Sequence, residues 1–211
     1  MKHLIISIFV VITTASCTNL QKESSDPFGA RVSEGMHRIN SAHGDSTLLV
    51  ITDASYVIHE GRTSEFYIDV IGNITGCSIG RGNLLLVHRP TTYRLFTALF
   101  NKTNSLCVMV AAADSSFIVS GPVSLAFTTL NDDMAWKEIE SALGASDMYS
   151  ITAVASQWAA GAPFDFLKCA ELHNHLCPGI TSGYFIAKYI QKFHPLSAGE
   201  SYTYISCPPW C

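Results

Sequence analysis

Four short apolar runs, separated by turn clusters, constrain this chain more than any other feature. Thr47-Leu-Leu-Val-Ile-Thr52 is rich in β-branched residues and has the length of a buried strand rather than a helix. Leu84 to His88, Tyr93 to Phe100 and Ser105 to Ala111 read as three more strands, with Arg89-Pro90 and Asn101-Lys-Thr-Asn104 as the turns between them. A short helix over residues 30–41 precedes the turn His43-Gly44-Asp45 and the first strand. Residues 63–74 place Phe66, Val70 and Ile74 on one helical face, with Ile68 less well aligned. The order α-β-α-β-β-β predicts an α+β unit over residues 29–125, with helices lying on a mixed sheet. The loop Gly76 to Asn83 lacks the Lys-Ser/Thr close of a phosphate-cradling loop. It reads as a tight turn in which Cys77 is a small buried residue.

Such a unit needs apolar material, and 48% of the 211 residues are apolar while 14% are charged. That balance excludes a disordered chain. A net charge of -4 and the lack of any Lys/Arg run argue against nucleic acid as a partner.

The N-terminus points outward from the cytoplasm. Lys2 and His3 precede Leu4 to Ile12, an apolar stretch broken only by Ser7. It is shorter than the ~20 residues a helix needs to cross a bilayer, and has the proportions of a signal-peptide core. Ala15-Ser16-Cys17 resembles the end of a lipoprotein signal, although Thr14 stands where an aliphatic residue is usual. Residues 1–17 are therefore expected as a signal peptide and 18–28 as a polar tether. The protein would be extracytoplasmic, either secreted or attached to the membrane by a lipid anchor on Cys17.

Beyond the first unit, Asn131-Asp-Asp opens a helix over 132–143, and a second follows over 146–160, giving a helical connection across 126–163. From 164 a second unit is expected: an apolar helix from Ile180 to Phe193, a turn at Leu196 to Gly199, and a strand from Tyr202 to Ser206. Gly199-Glu200-Ser201 loosely repeats Gly44-Asp45-Ser46, so this unit reads as an incomplete copy of the first. Its unpaired strand edge would call for a homodimer or a partner chain to complete it.

The chemistry concentrates in Cys169-Ala-Glu171-Leu-His173-Asn-His175-Leu-Cys177-Pro178-Gly179. His173, His175 and Cys177 alternate, so a helix would spread them and a turning backbone would gather them. Pro178 suits the first position of a helix, placing Cys177 at its N-terminus, where amide dipoles favour thiolate. Cys207-Pro-Pro-Trp-Cys211 adds two sulfurs. Imidazole with thiolate suits a transition metal ion, zinc first, with iron, nickel or copper as other occupants. Glu171 would be a supporting carboxylate or proton acceptor. Two other readings stay open: a thiol redox pair at Cys207 and Cys211, and a structural or interaction module with disulfides among Cys169, Cys177, Cys207 and Cys211.

The run His173-Asn-His175-Leu-Cys177-Pro-Gly179-Ile-Thr-Ser-Gly183-Tyr184 resembles the signature of the FmdE-like family of formylmethanofuran dehydrogenase subunits, which reads His-Gly-His-Leu-Cys-Pro-Gly. The departure is Asn174 in place of glycine. The similarity covers 165–211 strongly and 30–112 weakly. It implies a metal-binding domain, commonly associated with zinc, with His173, His175 and Cys177 as ligands. Cys207 is a further ligand candidate, with Cys169 and Cys211 behind it. The resemblance does not carry the cytoplasmic reaction with it, and whether the chain is an enzyme stays open.

Overall fold

A computed structural model describes residues 26–205. The expected signal peptide and all but the end of the expected tether lie outside them, as do Cys207 and Cys211. Helix α1 (Pro27–Arg38) begins inside the expected tether. Asp26 is its N-cap, with a carboxylate oxygen accepting from the Gly29 amide at 3.0 Å, and Pro27 takes the first helical position. Strand β1 (Leu48–Thr52) follows, then a small hairpin of β2 (Ile58–His59) and β3 (Arg62–Thr63), then α2 (Phe66–Thr75). The chain continues through β4 (Leu84–Leu86), β5 (Phe96–Asn101), β6 (Leu106–Ala113), β7 (Ser116–Val119) and β8 (Val123–Ser124). Five helices complete the described chain: α3 (Asp133–Leu143), α4 (Met148–Ala159), α5 (Phe164–Leu167), α6 (Cys169–His173) and α7 (Pro178–Phe193).

The fold is α+β, as expected. The main sheet runs β4-β1-β5-β6-β7, with β8 also paired to β6. It is mixed: β1 and β4 are parallel, with Thr52 opposite Leu86, and the remaining pairs are antiparallel. The parallel step requires a crossover, which the β2–β3 hairpin and α2 supply.

Alternate residues of the central strands feed two separate cores. Leu48, Val50, Leu84, Leu99, Val108 and Val110 pack with Phe28, Val32 and Met36 of α1 and Val70 and Ile71 of α2. Leu49, Ile51, Leu85, Phe96, Ala98, Phe100 and Met109 pack with Ile139 and Leu143 of α3, Ile151 and Val154 of α4, and Leu167 and Ala170 beyond them. A sheet covered on both faces loses the alternation of a half-exposed one, hence the continuous apolar runs. The segment 126–163 thus supplies the second covering layer, and that layer continues past 164 without a break in packing. Gly35 lets α1 lie close to the sheet, since a Cβ there would stand 2.8 Å from Leu99 Cδ1.

Two local expectations are corrected. The apolar stripe of α2 is Tyr67, Ile68, Val70, Ile71 and Ile74, and Phe66 is 60% exposed. Residues 202–205 form no strand and are exposed, and they pair with no strand among the described residues. No second mixed sheet therefore follows α7 among the described residues. None of the helices there is long and apolar enough to cross a membrane.

A buried polar knot lies beyond the C-terminal ends of β1 and β4. The Arg89 and Asp147 side chains, both almost fully buried, form an ion pair that ties the chain after β4 to the start of α4. The Arg89 guanidinium also lies 4.5 Å from the Tyr93 ring centre. Asp53, fully buried at the end of β1, accepts from the Phe96 amide at 2.8 Å.

Candidate metal centre

The histidines and Cys177 are presented by one short turn-helix anchored to the sheet at the ends of the parallel strands. Ala170 faces inward into the second core, and the Glu171 carbonyl accepts from the His88 amide at 2.6 Å. Tyr56 donates its hydroxyl to Glu171 Oε1 at 2.7 Å, and Lys168 pairs with the other carboxylate oxygen. Glu171 Oε1 thus clamps α6 to the body through Tyr56, while the Lys168 pair lies within the same segment.

His173 ends α6 because Asn174 adopts a left-handed conformation, with φ at 71°. Asparagine tolerates this region better than most residues and glycine tolerates it best. The reversal sends His175 back toward His173 and leads through Leu176 to Cys177. Cys177 is extended, with φ at -129° and ψ at 171°, and is the N-cap of α7, while Pro178 takes the first turn. Its sulfur makes no capping hydrogen bond. It lies 3.5 Å from His173 Nε2, and the two imidazole centres are 4.7 Å apart. One ligand atom from each of His173, His175 and Cys177 falls within 4.8 Å of the others, all three residues being half-buried.

This donor set can hold a metal ion. Burial, reinforced by the neighbouring His173, holds the His175 imidazole below the usual histidine range, which keeps it neutral and its lone pair available. A tetrahedral zinc with ordinary bond lengths has N···S edges of roughly 3.5 Å, and the Cys177–His173 separation already meets that requirement.

The structure brings three of the expected ligands together. Cys207 lies outside the described residues. Cys169 stands apart at the start of α6, its thiol directed to the Asp165 carbonyl at 3.5 Å. The four described cysteines, Cys77, Cys107, Cys169 and Cys177, are all free thiols.

Helix α4 supplies neighbours that sequence spacing did not indicate. Ser150 donates its hydroxyl to the Asn174 carbonyl, fixing the turn between the histidines. The same helix forms one wall of a groove of about 460 Å³ that reaches His175 and Cys177, with Tyr149, Ala153 and Pro178 among the residues lining it. The sequence carried no distinct signal for Ser150, since Thr152 is buried on the same helix beside it. No protein-family model matches the chain, and no curated protein or solved structure does so.

Proposed function

We propose that this protein is an exported metal-binding protein that holds zinc, or a similar transition metal ion, through His173, His175 and Cys177. The observation that carries the reading is the gathering of two imidazole nitrogens and one thiol sulfur within 4.8 Å on a clamped turn. Two nitrogens and a sulfur form a borderline-soft set that suits zinc better than calcium or magnesium. The left-handed Asn174 adds support, since a glycine stands there in the signature of the FmdE-like family. Cys207 is the proposed fourth ligand. The composition of residues 1–17 supports export, with the chain secreted or tethered through Cys17.

With Cys207 as a fourth ligand the coordination would be closed; an ion held by His173, His175 and Cys177 alone would supply Lewis acidity at its remaining position. The chain's own part is to orient the ligands, through the Ser150–Asn174 and Glu171–His88 bonds, and to keep His175 neutral.

The test is elemental analysis of the purified protein, paired with zinc titration of the chelator-treated form. One zinc per chain is expected, with Cys177→Ser lowering affinity by about tenfold or more while leaving the far-ultraviolet spectrum unchanged. A well-folded preparation that takes up no zinc at micromolar concentrations would refute the reading.

A further inference from the structure

We propose that α7 is a dimer contact, pairing antiparallel with α7 of a second copy of this chain about a two-fold axis at Ile186. Helix α7 turns its polar anchor inward and its apolar side outward. None of its sixteen residues is buried. Tyr184 rests on the Phe166 ring with centroids 5.1 Å apart and donates its hydroxyl to Asp165 at 2.9 Å, while Lys188 pairs with the same carboxylate at 2.6 Å. At 3.6 residues per turn, the side opposite these anchors carries Ile186, Tyr189 and Phe193, with Phe185 at its edge. Ile186, Tyr189, Phe193 and Phe185 are 60, 58, 56 and 63% exposed.

Such a helix does not sustain itself in water. At this length it is marginal alone, and Gly179, Thr181 and Gly183 weaken it further. The order of side chains along the stripe identifies what covers it, because small and large residues lie in mirrored positions around Ile186. Antiparallel pairing centred there sets Phe193 against Gly179 of the second copy, Tyr189 against Gly183 and Ile190 against Ser182, each pair repeated by symmetry. Gly179, Ser182 and Gly183 are exposed, and a Cβ at Gly183 would meet nothing within 4 Å, so the hollow is open. One helix thus carries both the knobs and the hollows of a single contact, as an isologous interface requires. A lipid surface or an unrelated protein would give no reason for the mirrored pattern.

Area and charge agree with a second copy. Aromatic side chains bury roughly 150–250 Å² each, so the four exposed residues offer about 450 Å² per chain. Two copies would cover about 900 Å² from these side chains, near the ~1,000 Å² expected of a specific interface, and Ile190 and Leu196 beside them carry the contact over it. Lys188 is held by Asp165 on the anchored side. Lys192 stands at the rim of the stripe, its ammonium 5.1 Å from the Phe193 ring centre, so no charge lies under the contact. The antiparallel arrangement also brings the end of the second α7 to Gly179, two residues beyond Cys177. The inference does not require a metal ion to be bound.

Sedimentation equilibrium of the full chain, metal-free and zinc-treated, provides the test. The mean mass should rise from one chain to two across about 1–100 μM. Ile186→Glu sets two like charges on the axis and should leave only monomer over that range. Gly183→Leu should weaken the dimer by about tenfold or more, because the new side chain meets Tyr189 of the second copy. Adding Tyr189→Ala to Gly183→Leu should restore association to within a few fold, an outcome specific to this register. All these positions are exposed, so unchanged far-ultraviolet spectra are expected, and Ile186→Glu keeps the test decisive if Gly183→Leu does not fold. A monomer at about 100 μM, a dimer indifferent to Ile186→Glu, or a double variant without recovery would each overturn the proposal. So would a monomer that floats with vesicles of phosphatidylcholine and phosphatidylglycerol, which would assign the stripe to a lipid surface.

Discussion

Asp53 offers a quantitative probe of how this protein tolerates charge in its interior. The residue is fully buried, one carboxylate oxygen accepts from the Phe96 amide at 2.8 Å, and the other has no hydrogen-bond partner. Burial pushes its pKa up from an ordinary 3.8 to about 7, against the opposing effects of the Phe96 amide and Arg89 and with a small addition from Asp147. The folded state therefore keeps a proton that the unfolded chain releases above pH ~4. Stability from this group is fully present below that pH and is lost as pH rises toward about 7. A pKa displaced from 3.8 to about 7 corresponds to roughly 4 kcal/mol at most. Asp53→Asn retains an acceptor for the Phe96 amide and cannot ionise. Urea unfolding followed by circular dichroism should find variant and parent equally stable near pH ~4.5, and the variant more stable by about 2–4 kcal/mol near pH ~8. If Asp53→Asn is destabilised by the same amount at both pH values, the buried carboxylate is charged and usefully paired with Arg89, and the reasoning fails.

Two further outcomes follow from contacts described above. Arg89→Met leaves Asp147 charged and unpaired in the interior and should cost about 3–5 kcal/mol in urea unfolding, whereas adding Asp147→Leu should recover most of the loss. Asn174→Val places a β-branched side chain at φ 71°, so it should destabilise the fold by about 1–2 kcal/mol and weaken zinc binding about tenfold. Asn174→Gly should preserve both properties, as measured by thermal melting and zinc titration.

The central strands were legible because burial on both faces turns them into continuous, largely apolar runs, as in Leu48 to Thr52. The same continuity hides which helices cover which face. Nothing in 126–163 alone reveals that Ile139, Ile151 and Val154 meet Leu49 and Phe100 across a long separation in sequence. The two-residue strands β2, β3 and β8 carry too little periodicity to be read. Tyr202 to Ile205 has the composition of a strand, but β propensity expresses itself only beside a partner edge. At the candidate metal centre, the grouping of His173, His175 and Cys177 was legible because five consecutive residues hold all of them. The contact that anchors Glu171 was not legible, because Tyr56 reaches it from 115 residues away. Ser150 was invisible for the same reason, reaching Asn174 from 24 residues away.

The compactness of the 173–177 turn has a thermodynamic consequence. A chelate loop this short costs little entropy to close even when the surrounding chain is denatured. The unfolded polypeptide should therefore retain appreciable zinc affinity, and zinc should raise the unfolding midpoint by less than its affinity for the native state would suggest. On the proposed reading, ion capture would be largely a local property of the peptide, with the folded body refining ligand orientation and determining what can approach the ion.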